Sequence, residues 1–261
     1  MLKFSPANVK IQSLSKVPSL APFLEGKKKV FSFDLLSGWS CPYAQDCLSK
    51  VYDFDGKRTL KDGPKTQFRC FSASQEVVYT NVYKLRKANY DTLRAMSHDA
   101  DMFHAINSVL PKNAGIVRIH VGGDFFNQAY MMAWLRMAWK NPNVLFYAYT
   151  KSLKFWASLR EHIETTPNFI LTASYGGRLD HMIETEKFRS VKVVYYEDEA
   201  AQSNLEIDHD DSHAADPSKK NNDFALLIHG VQPAGSRASL AIKQLKANGV
   251  KFSYSRNEET K

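Results

Sequence analysis

The side chains best suited to chemistry in this 261-residue chain begin with its three cysteines, all within the first 70 residues. Cys41 and Cys47 are separated by five residues, and Cys70 follows in the segment Phe68-Arg69-Cys70-Phe71. An odd number of cysteines argues against a disulfide framework, whereas three thiolates brought together after one strand favour a metal. Three thiolates leave one iron of a 4Fe-4S cluster open, and zinc requires a fourth ligand. The spacing matches no standard metal motif, so the alternative that these are buried small side chains stays open.

A second group of polar and glycine residues follows the apolar runs later in the chain. Gly122 and Gly123 would let a ligand approach the backbone, and Asp124 would accept a hydrogen bond from an ammonium or hydroxyl group. Lys151 suits pairing with a carboxylate or a phosphate. Other polar residues at the ends of apolar runs are Tyr149, Ser174 and His229. Each has a plainer interpretation as part of a turn, a cap or a loop, and their shared position indicates a site.

The elements that would position these residues recur along the chain. From residue 115 onward, short apolar runs begin near Ile116, Val144, Phe169, Val191, Phe224 and Val250, with polar turns and helical stretches between them. Strands that alternate with helices predict a parallel sheet covered by helices. No strand is followed by a Gly-x-Gly-x-x-Gly turn, which counts against a dinucleotide-binding sheet. We therefore predict an α/β fold, a partial (βα)6-type TIM-like barrel with an N-terminal cysteine-bearing insertion, whose strand ends meet at one crevice.

The domain organisation follows from composition and charge. Residues 1–29 form a basic leader, and residues 30–261 form a single domain. Within it, 30–114 hold the first strand, the cysteine loop and a helical insertion, and 115–261 hold repeating strand–helix units. The leader has no sustained period, so we expect it to be dispensable for the fold. The polar segment 201–223 predicts a long loop.

The charge of the chain bears on its partners. The net charge is +8, and six lysines of the leader account for most of it. A basic excess is typical of proteins that bind nucleic acid, but a solvated basic surface is the plainer interpretation. The apolar runs are too short for a membrane helix, and no secretory signal is visible. We expect a cytoplasmic protein that does not enter a membrane.

Several motifs resemble those of the phage gene-product-88-like proteins. The resemblance covers about residues 35 to 255, and it includes Ser40-Cys41-Pro42, Gly123-Asp124-Phe125-Phe126, Tyr149-Thr150-Lys151-Ser152 and His229-Gly230-Val231-Gln232. It implies a bacteriophage origin and the cytoplasm of the host bacterium. It implies no settled biochemical activity.

At a more distant level, the architecture resembles the radical S-adenosylmethionine superfamily. That resemblance implies that the three cysteines hold a 4Fe-4S cluster. It also implies that the amino group of S-adenosylmethionine is held by Gly122, Gly123 and Asp124. The expected function is a radical-type iron–sulfur protein that acts on a small molecule or a nucleic-acid component. The substrate would lie near Tyr149, Lys151, Ser174 and His229.

A second function from another class remains open at this point. The protein would be a non-catalytic module that a structural 4Fe-4S cluster or zinc stabilises, with the basic leader binding nucleic acid or a host protein. The polar residues at the strand ends favour the first function, since a purely structural metal would not require them. Whether the chain is an enzyme is left open by the sequence.

Overall fold

Buried runs of aliphatic and aromatic residues build the strands of this protein, whose computed structural model describes residues 1–250. The strands are β1 (Ser5–Pro6), β2 (Lys29–Phe33), β3 (Ser49–Phe54), β4 (Lys57–Asp62), β5 (Ala114–Ile119), β6 (Leu145–Thr150), β7 (Phe169–Ser174), β8 (Ser190–Val194), β9 (Glu206–Ile207) and β10 (Phe224–Leu227). The helices are α1 (Val9–Gln12), α2 (Phe71–Val78), α3 (Thr80–Arg94), α4 (Asp99–Asn107), α5 (Gln128–Lys140), α6 (Leu153–Ser158), α7 (Arg160–Glu164), α8 (His181–Thr185), α9 (Glu197–Gln202), α10 (Ser212–Ala215) and α11 (Arg237–Ala247). Short 3₁₀ helices cover Ser13–Lys16, Pro18–Phe23 and Pro217–Lys219.

Eight of these strands form one mostly parallel sheet in the order β1-β2-β5-β6-β7-β8-β10-β9. Neighbouring strands pair in parallel except β1, which runs antiparallel to β2. The predicted α/β class and parallel sheet are therefore confirmed. No pairing joins β1 to β9 within residues 1–250, so the described sheet is open and does not show a closed barrel. The residues after Val250, where a further strand was predicted, lie outside the described part.

The order of the strands determines how each face of the sheet is covered. Parallel strands that follow one another in chain order, joined by right-handed crossovers, place their connecting helices on one face. On that face Val117 and Phe146 belong to the same large core as Trp134 of α5. The opposite face carries Ile116 and Tyr147, and it must be covered by something other than the crossover helices.

The N-terminal segment and helix α10, through its buried Ala214 and Ala215, supply that cover. Ile11, Leu14 and Leu20 are fully buried in one cluster with Ile116 and Tyr147 of the sheet. The segment also adds β1 to the edge of the sheet. Residues 1–29 are therefore part of the core, and the prediction that they are dispensable for the fold is at odds with this packing. Their short α and 3₁₀ turns explain why no sustained period is visible in the sequence.

The insertion between β2 and β5 holds the cysteine loop, a hairpin and three helices. Strands β3 and β4 form a separate antiparallel sheet. Val51 and Leu60 of this hairpin pack in a small core with Tyr83 of α3. Within residues 1–250 no helix is long and apolar enough to cross a membrane.

Candidate functional site

A cavity of about 180 Å³ lies at the carboxyl ends of the parallel strands. All ten residues that the sequence predicts for a site line it: Cys41, Cys47, Cys70, Gly122, Gly123, Asp124, Tyr149, Lys151, Ser174 and His229. They meet because the carboxyl ends of parallel strands share one edge of the sheet, and the cysteine loop folds over that edge. A larger cavity of about 660 Å³ lies near the amino ends of β7 and β8 and is lined by other residues. The structure thus brings the predicted set together, while the role of each residue remains a prediction.

The three thiols lie at this cavity without forming a metal centre. Burial, together with the nearby Asp124 carboxylate, raises the pKa of Cys41 well above its usual value. Burial raises the pKa of Cys70 to about 12, so both residues are protonated thiols near neutral pH. Within residues 1–250 no group of three or more His, Cys, Asp or Glu side chains is placed to hold a metal ion. The predicted iron–sulfur function is therefore wrong, and so is the alternative of a cluster- or zinc-stabilised module.

Asp124 fastens the loop after β5 to the loop after β6. Its carboxylate accepts hydrogen bonds from Thr150 Oγ1 at 2.6 Å, from the Lys151 amide at 2.8 Å and from the Phe125 amide at 2.7 Å. Burial raises the pKa of Asp124 to about 6, although these hydrogen bonds favour the ionised form. The carboxylate therefore organises the cavity wall. Its assignment to the amino group of S-adenosylmethionine stays a prediction.

Gly122 and Gly123 permit close packing between parts of the protein itself. A Cβ atom at Gly122 would lie 2.2 Å from Ser72 Oγ and 2.9 Å from Arg86 Cζ. A Cβ at Gly123, whose φ is +101°, would lie 2.7 Å from Ser40 Oγ. Only glycine fits at either position, so the insertion can close against the end of β5. The glycine pair alone did not indicate this packing.

Two of the predicted contact residues touch each other. Lys151 Nζ donates a hydrogen bond of 2.6 Å to Ser174 Oγ, which joins the ends of β6 and β7. Both side chains are partly buried at the cavity. A lysine beside a serine hydroxyl suits the binding of an anionic or carbonyl oxygen. The same pair of groups can also activate a serine nucleophile.

The other two predicted residues present neutral groups. Burial raises the pKa of the Tyr149 phenol well above its usual value, and its ring lies 5.1 Å from the Arg118 guanidinium. Its hydroxyl is buried and has no hydrogen-bond partner among the described residues. Burial lowers the pKa of His229 to about 4. The neutral ring therefore donates from Nδ1 to the Leu227 carbonyl at 3.0 Å, which makes Nε2 an acceptor.

A buried charge network beneath the cavity was missed by the sequence analysis. The Asp211 carboxylate accepts hydrogen bonds from Arg118 and from Tyr147 Oη, and it pairs with Lys10 Nζ at 3.1 Å. Although burial opposes ionisation, Arg118 and Lys10 hold the pKa of Asp211 below its usual value. The only signal in the sequence was an arginine inside an apolar strand. The partner lies in the segment expected to be a long loop.

Two residues of the cavity wall adopt the left-handed backbone conformation, which residues other than glycine rarely adopt. His120 has a φ of 70° and Asp211 has a φ of 68°. Both line the cavity and both are buried. Such strain persists only where the surroundings enforce it, and it is found preferentially at functional sites. The backbone at the cavity is therefore held in place by its packing.

Comparison with known protein families finds one family whose match covers most of the chain. Residues 8–247 match the family described as gene product 88. The chain belongs to the gene product 88 family. The match starts inside the N-terminal segment, in agreement with the burial of Ile11, Leu14 and Leu20. The family resemblance seen in the motifs is thus confirmed.

One curated relative of this gene product 88 chain is the Gene 88 protein of Mycobacterium phage L5. It is 29% identical in an alignment of 126 residues that covers 44% of this chain and 44% of the relative. The chain therefore spans less than half the length of the relative that it matches. No solved structure matches the chain. These findings support the predicted bacteriophage origin, and they do not support the resemblance to the radical S-adenosylmethionine superfamily.

Proposed function

We propose that this member of the gene product 88 family binds a small molecule in the cavity at the strand ends, through an anionic or carbonyl oxygen. The hydrogen bond of 2.6 Å between Lys151 Nζ and Ser174 Oγ carries this proposal. It fixes an ammonium donor and a hydroxyl donor side by side at the cavity. Two adjacent donors match the two oxygens of a carboxylate or the oxygens of a phosphate.

The size of the cavity limits the ligand. Drug-sized ligands occupy clefts of roughly 300–1,000 Å³. A cavity of about 180 Å³ suits a smaller metabolite, or one end of a longer molecule. The described lining includes four cationic side chains, Lys10, Arg69, Arg118 and Lys151, against the carboxyl groups of Asp124 and Asp211. Asp62 lies outside the lining and pairs with Arg69, so the balance is four cationic groups against three carboxyl groups, which still favours an anion over a cation.

The remaining sequence predictions are compatible with this binding site. A partial (βα)6-type barrel would gather the strand ends around one mouth. S-adenosylmethionine is one ligand to test, since it bears a carboxylate for Lys151 and Ser174 and an amino group for Asp124. The cytoplasm of the host bacterium remains the expected location.

A second candidate function rests on the same contact. In a serine–lysine pair, the neutral lysine amine takes the serine proton while the serine oxygen attacks the carbonyl carbon of an ester or amide. The bond to the alcohol or amine then breaks, and the lysine returns the proton to this leaving group, which yields an acyl-serine that water or a second alcohol or amine can attack. The contact of 2.6 Å is within the reach that this proton transfer requires. His229, whose Nδ1 hydrogen-bonds to the Leu227 carbonyl, lines the same cavity. Under this second candidate the protein is a hydrolase or an acyl transferase.

A ligand panel separates these functions. Thermal unfolding is followed with small carboxylates, inorganic phosphate, simple phosphate esters and S-adenosylmethionine. We expect at least one of them to raise the melting temperature of the wild type and of Lys154→Met, an exposed lysine close in sequence. Lys151→Met should lose the effect. Equal stabilisation of Lys151→Met would contradict the proposal. Covalent labelling of Ser174 by a fluorophosphonate, lost in Ser174→Ala, would favour the second candidate.

A further inference from the structure

The hairpin of β3 and β4 presents a face that the cavity does not use. Directly opposite residues of an antiparallel pair share one face, and successive residues alternate between faces. On the outer face Lys50 lies opposite Lys61, Tyr52 opposite Thr59, and Phe54 opposite Lys57. We call these six residues the hairpin face. None of them is among the described residues that line the cavity.

The acidic residues of the hairpin lie away from this face. Asp53 and Asp62 belong to the alternate register pairs, and Asp55 lies in the turn. Asp62 is also engaged by Arg69, at 2.6 Å. Within this fully described hairpin, the hairpin face therefore carries three ammonium groups and no carboxylate. The positive charge of the hairpin is thus concentrated on this face, although the segment as a whole also contains three aspartates.

The arrangement of the lysines is unfavourable for the hairpin alone. Lys50 and Lys61 are directly opposite each other, and like charges in this position destabilise an antiparallel pair. Lys50 Nζ lies 4.5 Å from the centre of the Trp39 ring, and Lys61 Nζ lies 5.3 Å from that of Tyr52. These cation–π contacts offset part of the repulsion. An anionic partner would relieve the rest.

The aromatic rings of this region form an exposed row. Trp39 is 39% exposed and Phe54 is 64% exposed. The Trp39 and Tyr52 rings are 5.2 Å apart, and the Tyr52 and Phe54 rings are 6.5 Å apart with planes 4° from parallel. Large aromatic side chains whose only role is in folding are normally buried. Here they alternate with lysines on one surface.

We propose that the hairpin face, together with Trp39, binds single-stranded nucleic acid. Bases stack on Trp39 and Phe54, and the ammonium groups of Lys50, Lys57 and Lys61 contact phosphates. Stacking on aromatic rings beside a basic surface is the general mode by which proteins hold unpaired strands. Besides the lysines, the face offers only the hydroxyl groups of Tyr52 and Thr59, so recognition depends little on base sequence. Duplex nucleic acid does not offer its base faces to such a row.

The test uses the full chain and fluorescently labelled oligonucleotides of one sequence, as DNA and as RNA. Binding is followed by anisotropy over a range of salt concentrations. We expect affinity to fall with salt, and Lys57→Ala and Lys61→Ala each to flatten the log–log slope by about 0.7. Phe54→Ala should weaken binding by roughly 5- to 150-fold, the usual effect of losing one stacked base. The DNA and RNA arms identify which strand is preferred.

Matched controls separate this surface from general charge. Lys192→Ala removes an exposed lysine from β8, and Leu240→Ala removes an exposed apolar side chain from α11. Both should bind like the wild type, and circular dichroism should show all variants folded. Unchanged binding by Lys57→Ala, Lys61→Ala and Phe54→Ala would overturn the proposal. So would equal affinity for the duplex, or equal competition by an oligoglutamate peptide.

Discussion

Lys10 Nζ lies 3.1 Å from Asp211 Oδ1, so the first helix of the chain is joined by an ion pair to a segment two hundred residues later. Both groups are almost fully buried, at 10% and 1% side-chain exposure. The pair lies on the face of the sheet that the crossover helices leave uncovered. The N-terminal segment is thus a part of the cavity wall and of the core.

This position predicts that the N-terminal segment is required for stability. Leu14→Ala should lower the free energy of unfolding by about 2–5 kcal/mol, because Leu14 is fully buried against the sheet. Urea denaturation measures the change. Leu240→Ala, at an exposed site, should change it by less than about 0.5 kcal/mol. Equal values for the two variants would mean that the segment does not contribute to the core.

The titration of His229 predicts how stability depends on pH. Burial lowers the pKa of His229 from 6.5 to about 4, so the unfolded chain binds a proton at this site more readily than the folded protein. The stability that this residue contributes is fully present above about pH 6.5 and is lost as pH falls to about 4. His229→Gln should therefore make the free energy of unfolding less dependent on pH in this range. A slope equal to that of the wild type would contradict the assignment.

The titration of Asp124 should make stability depend on pH in the direction opposite to that of His229. Burial raises the pKa of Asp124 from 3.8 to about 6, so the folded protein binds the proton more tightly. Its contribution is present below about pH 4 and is lost as pH rises through 6, by at most about 3 kcal/mol. Asp124→Asn should steepen the rise of stability between pH 4 and 6.5. Denaturation at several pH values tests this variant beside His229→Gln, and a flatter curve would contradict it.

The packing at Gly122 predicts that a side chain placed there destabilises the protein and that a smaller residue at position 72 relieves part of this effect. Gly122→Ala should destabilise the protein by about 1–3 kcal/mol, since its Cβ would meet Ser72 Oγ at 2.2 Å. Ser72 Oγ is buried with no partner among the described residues, so Ser72→Ala alone should cost little. The double variant should recover part of the loss. Thermal unfolding of the three variants would show whether the effects simply add, which would contradict the contact.

The raised pKa of Cys70 predicts slow alkylation. With a pKa of about 12, the thiolate fraction at neutral pH is at least about 100-fold below that of an unperturbed cysteine. Iodoacetamide should therefore modify Cys70 far more slowly in the native protein than in urea. Mass spectrometry of the modified peptide measures both rates, and equal rates would contradict the raised pKa.

The edge at which the candidate site forms was predictable from the sequence, and the physical reason is local. An apolar run of five or six residues becomes a buried strand, and the residue that ends the strand is set by the local sequence, as at Thr150 in β6 and Ser174 in β7. Parallel strands then bring those ends to one edge without further information. This is why all ten predicted residues line one cavity.

Other features required contacts between distant parts of the chain. The pKa values of Cys41 and Cys70 depend on burial and on neighbouring charges, which the spacing of the cysteines in the sequence does not reveal. The sequence analysis did not predict β3 and β4, and only the register of these two strands places Lys50 opposite Lys61. The same holds for Gly122, whose neighbour Ser72 is fifty residues away.

The sequence by itself determined the strand–helix units and the polar residues at their ends, because periodicity and turn chemistry act over a few residues. Only the tertiary structure decided what covers the second face of the sheet. Strands in chain order leave that face open. Ile11, Leu14 and Leu20 cover it together with α10, because their burial removes apolar surface from water. A segment without a visible period became part of the core for that reason.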